Sequence, residues 1–359
     1  MDNPASDLTQ PADILDVAVV RNASSPSSKQ SSLRRRAGNL MLTNPESSSQ
    51  PADICQSPPG GADGGDRPSQ LLGAFIDYLR ARPNRGDSRG TGFDDGSSVL
   101  EGVTRGISEL GDIPAITLQP QAGRPDRTVL YFHGGGYVSG SPPERYLPLA
   151  AAVALAANAR VHVVDYRLAP QTPFPGAFDD CLQAYHSLVM HSGAHPQTLA
   201  VLGDSAGANL AVAVTAAARD QGLALPARIA LISPLADLTF SGASIEERKQ
   251  LDPLVTREML ESTVTDYLAG SDPRDPRCSA IFTDLHGFPP MLILVGENEI
   301  LYDDATRIRD AAAAAGVDVA FESWRHGIHV WPVFISAGLP ESAAAIERLA
   351  TFFKTRAVA

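Results

Sequence analysis

Cysteine is scarce in this chain. Its three residues, Cys55, Cys181 and Cys278, stand far apart, odd in number and without a C-x-x-C pair, so neither a disulfide framework nor a cysteine zinc site follows. No run of about 18 apolar residues is present, and no integral membrane segment is expected. A basic and then apolar leader is lacking too, because Asp2, Asp7, Asp13 and Asp16 occupy its place; the expected location is cytoplasmic. Basic residues fall short of acidic ones, 29 Lys plus Arg against 41 Asp plus Glu, and a net charge of −12 repels phosphate backbones and anionic lipid surfaces. Nucleic acid is therefore not an expected partner. Residues 1–66 contain no Phe, Tyr or Trp, although they hold 11 Ser, 7 Pro and 5 Gly. Without aromatic anchors this stretch cannot offset its ordering entropy, and it is expected to be a disordered tail.

What is present argues for a folded enzyme-sized body. Hydrophobic residues make up 43% of the 359 and charged residues 19%, enough for a sizeable core. From about Pro68 short β-branched runs alternate with longer Ala/Leu-rich amphipathic stretches. Strands are expected at 116–119, 128–132, 161–165, 200–202, 229–233, 291–295 and 319–323. Helices are expected at 71–81, 146–157, 176–191, 206–221, 304–315 and 341–354. Strands alternating with helices give an α/β fold with a mostly parallel central sheet and helices on both faces.

Two motifs sit at strand ends. Gly203-Asp204-Ser205-Ala206-Gly207 follows one apolar strand and opens an Ala-rich helix. A serine on such a sharp turn is backbone-strained, and glycines two residues to either side remove collisions as the chain doubles back. The new helix also aims its positive end at the place where an oxyanion would form. His133-Gly134-Gly135-Gly136-Tyr137 follows the strand at 128–132. Its glycines let successive N–H groups face a ligand at the sheet's C-terminal edge, making Gly135 and Gly136, together with Ala206, candidate oxyanion donors. His133 then has a structural role. A phosphate-binding loop would need G-x-x-x-x-G-K-[ST] or G-x-G-x-x-G, and neither pattern is present.

These motifs, with Asp165-Tyr166-Arg167-Leu168-Ala169-Pro170 between them and Ser233-Pro234-Leu235-Ala236-Asp237-Leu238-Thr239 and Gly287-Phe288-Pro289-Pro290 beyond, resemble the hormone-sensitive-lipase-like branch of the α/β-hydrolases. The resemblance covers about 68–359 and implies the α/β-hydrolase fold. One departure is visible: Gln171-Thr172-Pro173-Phe174-Pro175 stands where relatives carry Glu-His-Pro-Phe-Pro. The family order of nucleophile, acid, histidine places the base among His286, His326 and His329. His286 precedes a strand, on the wrong edge of the sheet. His326-Gly327-Ile328 looks like the His-Gly-Phe of many relatives, and His329-Val330-Trp331-Pro332 like the His-Val-Trp of a subgroup that includes monoterpene lactone hydrolases; the resemblance favours His329. Of the carboxylates Glu297, Glu299, Asp303 and Asp304, the family's Asp-Pro-Leu triplet falls on Glu299-Ile300-Leu301, so Glu299 is the expected acid and Asp303 its alternative.

The resemblance thus implies a serine carboxylic-ester hydrolase with Ser205, His329 and Glu299 as its triad, acting on small-molecule short-acyl esters or lactones through an acyl-enzyme. The same machinery would serve an amide deacetylase. A non-catalytic ligand-binding member is a third reading, although plant hormone receptors on this fold lack the catalytic histidine. A catalytic domain at 67–359 is expected to carry a cap from 68–82 and 239–276, with Phe75, Tyr78, Leu79, Met259 and Tyr267 either lining it or gluing it down. No cofactor is implied, and a homodimer is compatible with the resemblance. No metal site is expected, since His186, His191 and His195 straddle the Ser192-Gly193 break. His162, inside an apolar strand, reads as a hydrogen-bonded core residue, and Arg167 as an ion-pair partner of Asp165 or Asp204.

Overall fold

A computed structural model of the chain describes residues 67–81, 100–141 and 143–355. The tail expected over 1–66, position 82 and the last four residues lie outside the described residues. The described strands are β1 (Val103–Leu110), β2 (Ile113–Pro120), β3 (Arg127–Phe132), β4 (Ala159–Val164), β5 (Leu199–Asp204), β6 (Arg228–Ile232), β7 (Met291–Gly296) and β8 (Val319–Trp324). They form one sheet in the order β1-β2-β4-β3-β5-β6-β7-β8. β1/β2 and β2/β4 pair antiparallel, and every later neighbour pairs parallel. This is the expected α/β architecture.

Period-two burial explains the layers. Along β7, Met291, Ile293 and Val295 enter one core, whereas Leu292 and Leu294 enter the other. Both faces are thus covered, which is why this strand reads as an unbroken apolar run. On one face lie α3 (Gly176–His191), α4 (Ala206–Asp220) and α7 (Tyr302–Ala314); on the other lie α2 (Leu147–Ala157) and α8 (Pro340–Lys354). α2 and α4 form from Ala-rich runs that give up little side-chain entropy, and Asn158 in the left-handed conformation (φ 50°) ends α2.

β1 was not among the expected strands. Its central residues are exposed on both faces and include Gly106, so neither alternation nor an apolar run marks it. It pairs only with β2 along an edge of the sheet.

The two stretches expected to form a cap settle differently. α1 (Gln70–Ala81) packs Leu72, Phe75, Ile76 and Leu79 into the core beside α8, with the Phe75 ring 5.1 Å from that of Phe334. Ser69 ties this helix to Glu341 through two hydrogen bonds of 3.0 and 2.9 Å. α5 (Ser244–Glu247) and α6 (Arg257–Leu268) belong to the second stretch. α6 starts where Thr256 caps it by accepting from Met259 N at 3.2 Å, which leaves the upstream Asp252 for other bonds. No helix among the described residues is long and apolar enough to cross a membrane.

The packing yields a paired prediction. Leu130→Ala, in the fully buried centre of β3, should cost about 2–5 kcal/mol of unfolding free energy in a urea titration. Ile107→Ala, at an 87% exposed position of β1, should stay within about 0.5 kcal/mol of the native protein.

Candidate active site

Parallel strands that point the same way deliver their loops to the same edge. The C-terminal ends of β3, β5, β6, β7 and β8 lead into the segments carrying Gly134, Ser205, Ser233, Glu299 and His329. Ser205 forms the turn between β5 and α4 at φ 52°, ψ −118°. Tyr137, Ser233 and Val330 also have positive φ, at 65°, 47° and 48°, so strained backbone gathers along this edge.

Glycine makes the turn possible. A Cβ on Gly203 would stand 2.2 Å from the Gly207 carbonyl oxygen, and one on Gly207 would stand 1.9 Å from that of Phe132. The start of α4 therefore lies directly against the end of β3. In the loop after β3, Gly135 has φ 107°, and a Cβ there would meet Ser139 O at 2.1 Å. Asp204 fixes that loop: its Oδ1 accepts from Gly134 N at 2.9 Å and from the Tyr131 hydroxyl at 2.7 Å. Burial pushes the Asp204 carboxyl up to about 6, against those two hydrogen bonds.

His133 sits between the rings of Tyr146 and Tyr166, at 4.9 and 4.3 Å, and its Nδ1 lies 2.7 Å from Gly134 O. Burial lowers it to about 4, so it stays neutral inside the body. Tyr166 donates to His133 O at 2.6 Å. The N–H groups of Gly135, Gly136 and Ala206 have no recorded acceptor among the described residues. Gly135 and Gly136 follow the Gly134 that Asp204 holds, and Ala206 directly follows Ser205.

Three sequence-predicted side chains meet there. Ser205 Oγ lies 3.0 Å from His329 Nε2, and His329 Nδ1 lies 2.8 Å from Glu299 Oε2. A carboxylate can only accept, so Nδ1 donates and Nε2 is left to accept from the serine hydroxyl. Burial alone would lower His329; the hydrogen bond and charge of Glu299, with the charges of Asp252 and Asp204, outweigh it and raise the imidazole above its ordinary value. Glu299 is fully buried, and its Oε1 accepts from Ser233 Oγ at 2.9 Å and Gly296 N at 2.5 Å. Ser233 Oγ in turn accepts from Val330 N at 3.0 Å, joining the loops of β6, β7 and β8.

The alternatives are placed elsewhere. Asp303 accepts from Ser244 N at 2.9 Å in the first turn of α7, and no contact joins His326 to Ser205 or Glu299. His286 is exposed and bonds Asp284 at 2.6 Å. His162 meets Thr117 Oγ1 at 2.8 Å inside the sheet. Arg167 departs from expectation: it pairs with Asp180, Nη2 to Oδ1 at 2.6 Å, and not with Asp165 or Asp204, because Asp180 on α3 also receives Arg167 N at 2.9 Å. Two site residues escaped the sequence reading. Ser233 stood out only as the first residue of a family-like stretch at a strand end, and Asp252 carried no signal of a place near the site. No group of three or more His, Cys, Asp or Glu among the described residues could hold a metal ion.

α6 lies over the glycine loop. Tyr267 stacks on Tyr137 with ring centres 3.8 Å apart, and a Cβ on Gly136 would meet Thr263 at 3.3 Å. Where the sequence departs from its relatives, Phe174 N donates to Tyr267 O at 2.7 Å, linking the 171–175 segment to the same helix.

Fold and site together define a hydrolase of the esterase/lipase-like class. A family described as alpha/beta hydrolase fold matches residues 129–333. An acetyl-hydrolase of Streptomyces hygroscopicus is 43% identical over 249 residues, 69% of this chain and 82% of that protein. An esterase of Acinetobacter venetianus is 35% identical over 225 residues, 62% and 73% of the two chains. The crystal structure of an esterase from the bacterial hormone-sensitive lipase family superposes with a TM-score of 0.73 at 36% identity, covering 81% of this chain and all of that one. EstE5, in a crystal soaked with p-nitrophenyl butyrate, superposes with a TM-score of 0.72 at 33% identity, covering 79% and 98%. The chain belongs to the α/β-hydrolase family, in its branch of hormone-sensitive-lipase-like serine esterases.

The tight contact of α4 with β3 gives a stability prediction. Gly207→Ala should lower the urea-unfolding free energy by about 1–3 kcal/mol, since the methyl would press on backbone carbonyls that cannot rotate away.

Proposed function

We propose that this chain hydrolyses short-acyl carboxylic esters or lactones through an acyl-enzyme, with Ser205 as nucleophile, His329 as general base and Glu299 as the acid behind it. The observation that carries this reading is the continuous hydrogen-bonded line from Ser205 Oγ through His329 to Glu299, at 3.0 and 2.8 Å; we read the N–H groups of Gly135, Gly136 and Ala206 as the oxyanion donors. His329 Nε2 takes the serine proton as Oγ attacks the ester carbonyl carbon, and the carbonyl oxygen becomes an oxyanion held by those three N–H groups. The same proton then passes to the alcohol oxygen as the C–O bond breaks. Water, deprotonated by His329, attacks the acyl-enzyme, and Ser205 recovers its proton as the acid leaves.

The names of the relatives support small acyl groups: one is an acetyl-hydrolase, and another was soaked with a butyrate ester. The first name states the acyl group and not the atom it leaves, so acetyl amides form a second reading for the same machinery. We read 67–359 as one catalytic domain, with the segments at 68–82 and 239–276 as its cap; the seat of α6 on Tyr137 supports a cap in the second of these.

A fluorophosphonate probe should label Ser205 covalently, and p-nitrophenyl acetate and butyrate should turn over; an unlabelled Ser205 would sink the triad reading. His329→Ala should lose at least about 10³-fold in kcat/KM, whereas His326→Ala should remain active. Comparing p-nitrophenyl acetate with p-nitroacetanilide separates the ester from the amide reading.

The pH profile follows from the same geometry. The base works only when neutral, so kcat/KM should fall as pH drops through the folded His329 value. That value is raised, and the midpoint of the acidic limb should lie above the ordinary 6.5 in a profile taken with a non-ionising ester.

A further inference from the structure

Asp252 takes no part in the steps above, yet it is buried, with 3% of its surface exposed. Its Oδ1 accepts from Leu254 N and Val255 N, both at 2.9 Å, and its Oδ2 accepts from Ile300 N at 3.0 Å. Ile300 is the residue after Glu299. The next peptide is gripped from the same segment, for Ser244 Oγ donates to Ile300 O at 2.6 Å and accepts from Asp303 N at 3.0 Å. On the near side of Glu299, the Arg248 guanidinium donates to Glu297 O and lies 3.8 Å over the Tyr302 ring. The stretch 244–255 thus holds the backbone on both sides of the buried glutamate.

Three backbone N–H groups need only three acceptor lone pairs, which neutral side chains or carbonyls could supply. A buried carboxylate is a costly way to supply them, and burial indeed pushes Asp252 up to about 6. At neutral pH it is nonetheless mostly ionised. Its opposing influences are the three backbone donors and the charge of His329. The carboxylates facing His329 are Glu299 on the loop after β7, Asp204 at the end of β5 and Asp252 on the segment before α6.

We propose that Asp252 is a positioning residue for the reaction: through its bond to Ile300 N it anchors the peptide that follows Glu299, and it adds a negative charge to those that act on the imidazolium formed at His329. The proposal rests on the triad reading. In the attack step the proton leaves Ser205 for His329, and a fixed negative charge stabilises the cation as it develops, without taking the proton itself.

The test uses the full chain and p-nitrophenyl butyrate. Asp252→Asn removes the charge and leaves one acceptor oxygen where there were two; it should lower kcat/KM about tenfold and move the acidic limb of the profile down by about half a pH unit. Asp252→Glu keeps the charge and should return the limb towards its native position. Ser244→Ala loosens the adjoining peptide without changing charge, and should lower kcat/KM while leaving the limb in place. Asp252→Ser serves as the second uncharged variant, with folding checked by circular dichroism. An unmoved limb in folded Asp252→Asn or Asp252→Ser, whatever the loss of rate, overturns the proposal; so does failure of both to fold, which would assign Asp252 to the fold alone. The two readings fail separately. A native protein unlabelled at Ser205 overturns the triad and this proposal with it, whereas a labelled, active native protein with an unmoved variant limb overturns this proposal alone.

Discussion

Where α4 leaves the sheet, Gly207 sits so close to the end of β3 that a single methyl group would overlap the Phe132 carbonyl oxygen, and Gly203 is packed as closely on Gly207. Three backbones converge there with no side chain between them. Because they do, Asp204 can reach across to Gly134, at the head of the loop that carries Gly135 and Gly136. A second contact of the same kind lies two strands away: a Cβ on Gly296 would stand 2.3 Å from Gly327 O. It brings the loops of Glu299 and His329 together, with Asn298 N donating to Gly327 O at 3.0 Å. Ser205, Glu299 and His329 are separate in the chain, and these two glycine contacts lie where the strands that carry them end.

Around this frame the protein buries carboxylates and gives each a different occupation. Asp204 holds the glycine loop, Glu299 orients the histidine, and Asp304 accepts from Ala236 N and Asp237 N at 2.7 and 2.9 Å. Burial raises Asp204 to about 6 and Asp304 to about 7. Each is compensated by backbone donors, the cheapest way to keep an anion in a low-dielectric interior. The net acidity that set aside nucleic acid as a partner is in part an internal scaffold.

Much of the body was legible from local pattern. β5 and β7 are apolar throughout because both faces are covered, and a run of that kind bounded by glycine is hard to mistake. Ser205 was legible because strain, glycine spacing and a strand-to-helix change coincide in five residues. The edge strand β1 was not, since exposure on both faces leaves no period to detect. Glu299 and His329 were reached through family resemblance alone; four carboxylates share one loop, and only long-range contacts distinguish them. Arg167 was given the wrong partner because Asp180 is near only after α3 docks. Ser233 and Asp252 were illegible for the same reason: what they do depends on residues 66 and 48 positions away.

The bond between Ser205 and His329 spans 124 residues of sequence. Strands β6, β7 and β8 and the helices between them must all be in register before it can close. Local turns form early in folding, whereas contacts of such separation wait on the loop-closure entropy of everything between. In a chain still emerging Ser205 has no His329 beside it, so under the proposed mechanism it is not activated, and a covalent label on Ser205 would report completed folding as well as catalysis.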